Sequence, residues 1–191
     1  MLFNETKTIY SLFDYTGKWS EPYRENGYNV IQIDIKYGTD IRLLEIPKNH
    51  VYGILAAPDC THFAGSGAQY WNEKDKDGRT LQALELIGAM SRFILVTNPI
   101  FWVVENPVGR LNKWFGKPKY YFHPHYFGDP YTKKTALWGK FNIPKVTLEN
   151  FTEPIDGSKK HLKYGGKSER TKILRSVTPS GFAWAFYYAN N

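Results

Sequence analysis

The only cysteine of the chain, Cys60, lies where an α/β enzyme would present a nucleophile. It follows the apolar run 54–57 and Pro58, and it opens a polar stretch that includes Gly65 and Gly67. A strand that ends in such a loop fixes the position of a side chain, and the loop exposes it. A free cysteine is more often a small buried hydrophobe, so the structural interpretation stands beside the chemical one.

A second polar segment, Glu105-Asn106-Pro107, follows the apolar run 99–104. We expect this segment to be a loop after a buried strand. The carboxyl ends of parallel strands meet at one edge of a sheet, so Cys60 and Glu105 should lie near each other. A thiol and a carboxylate in that position could act on the same group of substrate atoms.

The elements that must position these residues alternate along the chain. Apolar periodicity predicts strands over 8–13, 28–34, 50–57 and 99–105, and helices over 21–26, 80–94 (capped by Thr80) and 181–186. The continuously apolar run 99–104 is typical of a buried parallel strand. The order predicts an α/β fold with a parallel sheet, in which Asp14, Asp34 and Asp40 also fall at the carboxyl ends of strands.

Length and composition limit the function classes. The chain has 191 residues, which suits a single domain, and its 25 Lys and Arg against 18 Asp and Glu give a formal net charge of +7, which favours a polyanionic partner. One cysteine excludes an internal disulfide framework and argues against a cysteine-based zinc site. We interpret His123 and His125 as packing or surface residues, not metal ligands. The N-terminus lacks the pattern of a signal peptide, and no apolar run approaches membrane-spanning length. We therefore expect a soluble cytoplasmic protein of phage or prokaryotic type, which binds neither a membrane nor a metal ion.

These motifs together resemble the DNA cytosine-5 methyltransferase family. The likeness rests on Pro58-Asp59-Cys60 followed by Phe63, on Glu105-Asn106-Pro107, on the basic strand segment 127–135 and on a closing segment at 178–183. It covers roughly Ser11 to Trp138 in the order of the family. The resemblance implies one Rossmann-like, S-adenosylmethionine-dependent methyltransferase domain over 1–191, with 140–177 as a reduced form of the region that reads DNA sequence.

The resemblance also implies roles for individual residues. Cys60 would add to C6 of cytosine, Glu105 would hold ring N3, and Lys133 stands in place of a family arginine. S-adenosylmethionine would be the methyl donor, and a cytosine in duplex DNA would have to be flipped out, whereas single-stranded DNA presents its bases directly. The implied cofactor-binding residues are Phe13, Asp14, Thr16 and Gly17 in the first turn, Asp34 at the ribose, Asp40 and Ile41 near the adenine, and Pro58.

Departures from the family pattern leave alternatives open. Tyr15 stands where the family has glycine, Asp59 precedes the thiol and would raise its pKa, and Lys133 and Thr135 replace two arginines. The short variable region, which includes the lysine-rich run 159–167, predicts weak specificity, a protein partner that supplies specificity, or a small or single-stranded substrate. The alternative functions are a catalytically degenerate relative that binds nucleic acid or protein, and an enzyme that modifies a pyrimidine nucleotide at C5.

Overall fold

A computed structural model, which describes residues 7–146 and 168–191, contains a six-stranded mixed sheet. The strands are β1 Thr8–Leu12, β2 Asn29–Ile33, β3 Gly53–Ala56, β4 Phe101–Pro107, β5 Tyr120–Phe122 and β6 Thr135–Lys140. Their order is β2-β1-β3-β4-β6-β5, with the first four parallel and the last two antiparallel to their neighbours. The prediction of a parallel sheet is therefore right for β1 to β4 and wrong for β5 and β6. A parallel connection needs a long crossover, usually a helix, and the chain between β4 and β6 has only two helical turns of four residues each, Asn112–Phe115 and Pro124–Phe127.

The helices lie on both faces of this sheet. They are α1 Glu21–Glu25, α2 Trp71–Lys76, α3 Arg79–Thr97, α4 Asn112–Phe115, α5 Glu169–Ser176 and α6 Ser180–Ala189. The predicted helices at 21–26, 80–94 and 181–186 correspond to α1, α3 and α6. Thr80 is not the cap of α3, because the cap position is Gly78 and the buried Thr80 hydroxyl accepts a hydrogen bond from Arg110.

Side chains of the central strands alternate between two buried layers. In β1, Tyr10 and Leu12 pack with Phe93 of α3, whereas Ile9 packs on the other face with Phe186 of α6. A strand that is buried on both faces needs apolar residues at nearly every position, which is why these strands appear as continuous apolar runs in the sequence. The prediction that the C-terminal helix packs back on the sheet is confirmed.

Helix α3 is long and apolar enough, by length and composition, to cross a membrane. The prediction that no apolar run approaches that length is therefore wrong. The helix spans 19 residues, and its inner side chains Ala83, Ile87, Met90 and Phe93 are buried against the sheet. We assign α3 as the core helix that covers one face of this domain.

Strand β4 continues through the segment predicted to be a loop. Glu105 and Asn106 are paired with Leu137 and Ala136 of β6. The antiparallel partner extends the ladder beyond the end of the parallel neighbour β3, and this pairing cannot be read from β4 alone. Glu105 therefore lies on a strand, which holds its backbone more firmly than a loop would.

The predicted variable region 140–177 is described only up to residue 146 and from residue 168. Its lysine-rich run 159–167 lies outside the described residues, so the expectation for that run stays a prediction. At the C-terminal end of the region, α5 has no buried residue.

Candidate active site

The Cys60 turn follows β3 directly. After Pro58, residues Cys60–His62 form a 3-10 turn, and the Asp59 carboxylate accepts hydrogen bonds from the amide (2.9 Å) and the hydroxyl (2.6 Å) of Thr61. An aspartate favours this position because its short side chain satisfies the first free amides of a turn. Asp59 therefore stabilises the turn that carries the thiol. Cys60 is only partly exposed, so the loop exposes the thiol less than predicted.

The electrostatics of the thiol depend on residues from four segments. Burial is the largest effect and raises the pKa of Cys60; Lys133 lowers it, Asp59 and Glu105 raise it, and Arg175 of α5 lowers it. The expectation that Asp59 raises this pKa is confirmed in direction, although burial contributes more. The resting thiol is protonated at neutral pH, since its pKa lies above the ordinary thiol value. Arg175 could not be linked to the thiol from the sequence, because α5 follows Cys60 by more than a hundred residues.

Glu105 and Lys133 form an ion pair beside the thiol. The Lys133 ammonium lies 3.4 Å from Oε1 of Glu105, and both side chains are mostly buried. Lys133 immediately precedes the β6 region, and its carbonyl accepts a hydrogen bond from the Thr135 hydroxyl. Because β6 runs antiparallel to β4, the start of β6 meets the carboxyl end of β4. The fold thus brings together the three residues predicted as catalytic: Cys60 follows β3, Glu105 lies on β4 and Lys133 precedes β6.

Asn106 joins this strand to the Cys60 turn. Its side chain is 1% exposed, and its Nδ2 donates a hydrogen bond of 2.9 Å to the carbonyl of Pro58. The Asn106 Oδ1 is buried without a partner among the described residues. The amide therefore fixes the distance between β4 and the residue two positions before the thiol.

Arg110 holds the other end of the Cys60 turn. Its guanidinium donates to the carbonyl of His62 (2.8 Å), to the carboxylate of Asp75 (2.8 Å) and to the hydroxyl of Thr80 (2.7 Å). A planar fork of five N–H donors suits such a junction of three segments. No local pattern identifies Arg110 as a positioning residue, because all three partners are distant in sequence.

Gly109 allows the segment after β4 to approach the end of the Cys60 turn closely. Its neighbour in space is the carbonyl of Phe63, and a Cβ atom at position 109 would lie only 1.9 Å from that oxygen. Ala64 and Gly109 form an isolated antiparallel bridge. Glycine is required here by contact distance, not by backbone angle.

The predicted cofactor turn is built largely from its own hydrogen bonds. Asp14 is 5% exposed, and its carboxylate accepts bonds from the hydroxyls of Ser11 (2.8 Å), Ser20 (3.1 Å) and Thr16 (3.5 Å). Gly17 has a φ of +66° and Phe13 a φ of +60°. Asp14 and Thr16 therefore maintain the shape of the turn, and their polar groups face inward.

Two tyrosines close over the ends of β1 and β2. The rings of Tyr15 and Tyr37 are 5.4 Å apart, and the Tyr37 hydroxyl donates to the carbonyl of Tyr15 at 2.8 Å. The ammonium of Lys36 lies 4.7 Å from the Tyr15 ring and pairs with Glu169 of α5. Asp34, at the end of β2, is partly exposed and accepts a bond from the Lys36 amide. We name Tyr15 and Tyr37 the tyrosine pair.

Asp40 and Ile41 are engaged with other residues. Arg42 donates to both oxygens of Asp40, at 2.6 Å at the shortest, and these bonds hold the pKa of that carboxyl below its usual range. Ile41 is 3% exposed and belongs to the core under α3. Asp40 could therefore contact an adenine only if Arg42 gave up part of its hydrogen bonding to the Asp40 carboxylate.

A cavity of about 630 Å³ lies between the Cys60 turn and α3. Its volume is in the range of small-molecule sites. The cavity connects the Cys60 turn with the loop that contains Asp40. Its lining includes Arg42, Pro58, Asp59, Phe63, Ala83 and Ile87.

The two histidines at 123 and 125 pack against each other. Their rings are 5.3 Å apart, and both contact Tyr126. Within 7–146 and 168–191, no group of three histidine, cysteine or acidic side chains is arranged to hold a metal ion.

Comparison with known proteins identifies the fold. No protein-family model matches the chain, and no curated protein matches it. Among the solved structures, it is similar to a protein encoded within a prophage of E. coli and described as a DNA modification methyltransferase. The TM-score is 0.51 at 16% sequence identity, and the match covers 86% of this chain and 56% of that one. The chain thus spans a little over half the length of this neighbour. The predicted fold class, a Rossmann-like α/β methyltransferase sheet flanked by helices, is confirmed.

Proposed function

We propose that this chain transfers a methyl group to carbon 5 of cytosine in DNA, with Cys60 as the nucleophile. The observation that carries the proposal is the convergence of the Cys60 thiol with the Glu105–Lys133 ion pair at the carboxyl edge of the sheet. The fold it shares with a protein described as a DNA modification methyltransferase supports the reaction class. The net charge of +7 supports a polyanionic substrate.

The chemistry explains why a thiol and a carboxylate belong together. Carbon 5 of cytosine is a weak nucleophile, and addition of the Cys60 thiolate to C6 moves the electron pair of the C5–C6 double bond onto C5. Glu105 would hold ring N3 and share a proton with it, so that the ring can accept this charge. When bound, S-adenosylmethionine supplies an electrophilic methyl group. C5 bonds to this methyl group, a water molecule accepts the C5 proton and Glu105 takes back the N3 proton, so that the C5–C6 double bond re-forms and Sγ of Cys60 leaves as thiolate.

Lys133 would adjust the thiol for this reaction. Its ammonium opposes the effect of burial on the pKa of Cys60. A pyrimidine that accepts Glu105 as its partner at N3 would draw the carboxylate away from Lys133. The ammonium would then favour the thiolate without the opposing charge, at the moment when the substrate is in place.

The residues around the first turn fit the methyl donor in part. The carboxylate of Asp34 stands at the end of β2, where it could bind ribose hydroxyls, and the cavity beside Pro58 could accept an adenosyl group. Phe13 and Gly17 shape the turn between them. The tyrosine pair covers this turn, so we propose that Tyr15 turns away from Tyr37 when the donor binds.

Transfer of a tritiated methyl group from S-adenosylmethionine tests the proposal. Duplex DNA, single-stranded DNA and cytidine nucleotides are supplied in parallel to the wild-type chain, to Cys60→Ala and to Lys48→Met, a change at the amino end of β3. We expect labelled DNA with the wild type and Lys48→Met and none with Cys60→Ala, which should keep its circular dichroism spectrum. DNA that contains 5-fluorocytosine should trap a covalent adduct with the wild type only. Undiminished transfer by Cys60→Ala would refute Cys60 as the nucleophile.

A second candidate function is a methyltransferase-like protein that binds nucleic acid without modifying it. The tyrosine pair and the Asp40–Arg42 pair favour it, because both occupy positions where the donor would bind. Calorimetric titration with S-adenosylmethionine separates the two candidates. Binding of DNA without any binding of the donor, even by Tyr15→Gly, would support the second candidate.

A further inference from the structure

Two large aromatic side chains are exposed beside the candidate active site. Trp114 of α4 is 43% exposed and Tyr121 of β5 is 42% exposed. Tyr121 is paired with Ala136 of β6, and the Ala136 side chain packs in the core under α3. Side chains of directly paired residues share one face of a sheet, so Tyr121 lies on the face that α4 also covers. Exposed aromatic rings on one face are an available stacking surface.

Both rings are connected to the catalytic residues by short contacts. The Trp114 ring packs edge-on against Phe63, at 5.6 Å, and Phe63 ends the Cys60 turn. The Tyr121 ring lies 5.7 Å from the ammonium of Lys134, the residue next to Lys133. Trp114 therefore adjoins the segment that carries the thiol, and Tyr121 adjoins the segment that carries the Glu105 partner.

Exposed positive charge lies close to Trp114 in sequence and to the Tyr121 ring in space. Lys113 directly precedes Trp114 and Lys117 follows it by three residues, and the Lys134 ammonium lies 5.7 Å from the centroid of the Tyr121 ring. None of these three lysines forms a salt bridge with an acidic side chain in the part of the chain that the structure describes. We name Lys113, Trp114, Lys117, Tyr121 and Lys134 the aromatic–basic surface.

We propose that the aromatic–basic surface binds single-stranded DNA by stacking unpaired bases on Trp114 and Tyr121 while the lysines contact phosphates. This inference rests on the proposed function for the identity of the reacting base, and it adds that the strand is unpaired on either side of that base. Alternating aromatic rings and cations suit a single strand, because each base has a free face and each phosphate a charge. In a duplex the faces of the bases are covered by their neighbours, so the rings would have nothing to stack on.

This arrangement would also remove the need to open a duplex. An unpaired base needs no flipping out of a helix, so the cost of unstacking and unpairing is small. Stacking tolerates any sequence, since all four bases present a similar face. The surface therefore predicts affinity for single strands with little preference for sequence.

Fluorescence anisotropy with a labelled 15-nucleotide single strand, and with the same strand in a duplex, tests the inference without any methyl donor. The wild-type chain, Trp114→Ala, Trp114→Phe and Tyr121→Ala are compared with Tyr188→Ala, which removes an exposed ring from α6 on the opposite face. We expect tighter binding of the single strand than of the duplex. Trp114→Ala and Tyr121→Ala should each weaken single-strand binding by about 5-fold or more, whereas Tyr188→Ala should not, and Trp114→Phe should retain most of the affinity.

Several results would overturn the inference. These are equal affinity for the single strand and the duplex, no binding of the single strand, and binding that the ring variants leave unchanged. Sedimentation that shows a dimer lost in Trp114→Ala would assign the surface to a second copy of the chain instead. The reaction is measured separately, so the two proposals can fail independently: ring-dependent binding without methyl transfer refutes only the proposed function, and methyl transfer to duplex DNA by Trp114→Ala and Tyr121→Ala at the wild-type rate refutes only this inference.

Discussion

The ion pair beside Cys60 should control the reactivity of the thiol in the free protein. Glu105→Gln removes an anion that raises the pKa of Cys60, and Lys133→Met removes a cation that lowers it. Glu105→Gln should therefore lower this pKa and Lys133→Met should raise it further. The double variant should lie near the wild type, because the two effects have opposite sign.

The size of the effect follows from the burial of the pair. The two side chains are only 14% and 19% exposed, for Glu105 and Lys133 respectively, so solvent screens their charges weakly. A charge beside a partly buried thiol therefore changes the thiolate fraction below the pKa by about tenfold. A thiolate of lower pKa is intrinsically less nucleophilic, by about threefold per unit. At pH 8 the Cys60 thiol should therefore react with a disulfide reagent about threefold faster in Glu105→Gln and about threefold more slowly in Lys133→Met.

The assay is the reaction of the free thiol with Ellman's reagent, followed by absorbance between pH 6.5 and 10.5. Cys60 is the only cysteine, so one reaction is observed. The inflection of rate against pH should lie above the ordinary thiol value in the wild type and should move down for Glu105→Gln and up for Lys133→Met. Lys48→Met, which removes a charge at the opposite edge of the sheet, should leave the inflection unchanged. An inflection that moves in the reverse direction, or equally for Lys133→Met and Lys48→Met, would refute the electrostatic role of the pair.

Four further predictions concern the residues around the thiol and the first turn. Asn106→Ala should lower the free energy of unfolding in urea by about 1–3 kcal/mol, because a buried carbonyl loses its donor; no change would contradict this. Gly109→Ala should lower the free energy of unfolding by about 1–3 kcal/mol, because the added Cβ overpacks against the carbonyl of Phe63. It should also speed the reaction of Cys60 with Ellman's reagent, since the Cys60 turn must move to make room. An unchanged rate would show that the clash is relieved without movement of that turn. Tyr37→Phe should tighten binding of S-adenosylmethionine by about 2- to 10-fold in calorimetry, since it removes one hydrogen bond to Tyr15; weaker binding would show that the pair forms part of the donor site. The neutral Cys60 thiol should stabilise the fold below its unfolded pKa and lose this contribution as pH rises through its raised folded pKa. The free energy of unfolding in urea should therefore fall above about pH 9, and it should fall more for the wild type than for Cys60→Ala.

Much of the fold could be predicted because it depends on neighbours in sequence. Apolar runs and helical spacing located β1 to β4, α1, α3 and α6, since each element must bury its own side chains. Of the two last strands, β5 was not predicted, and β6 begins only at Thr135, where the strand segment implied by the resemblance ends. β5 has only three residues, β6 takes its direction from antiparallel pairing with β4, and β5 joins the sheet only through β6.

The candidate site, too, could be predicted only in part from the sequence. The sequence alone determined which residue types could do chemistry, a thiol after β3, a carboxylate on β4 and a lysine before β6, because local motifs carry them. Only the tertiary structure decided that Lys133 pairs with Glu105, that Asn106 and Arg110 hold the Cys60 turn, and that Tyr15 rests on Tyr37. These contacts join segments that are distant in the chain, and their partners are selected by the packing of the sheet and its helices, which no local pattern encodes.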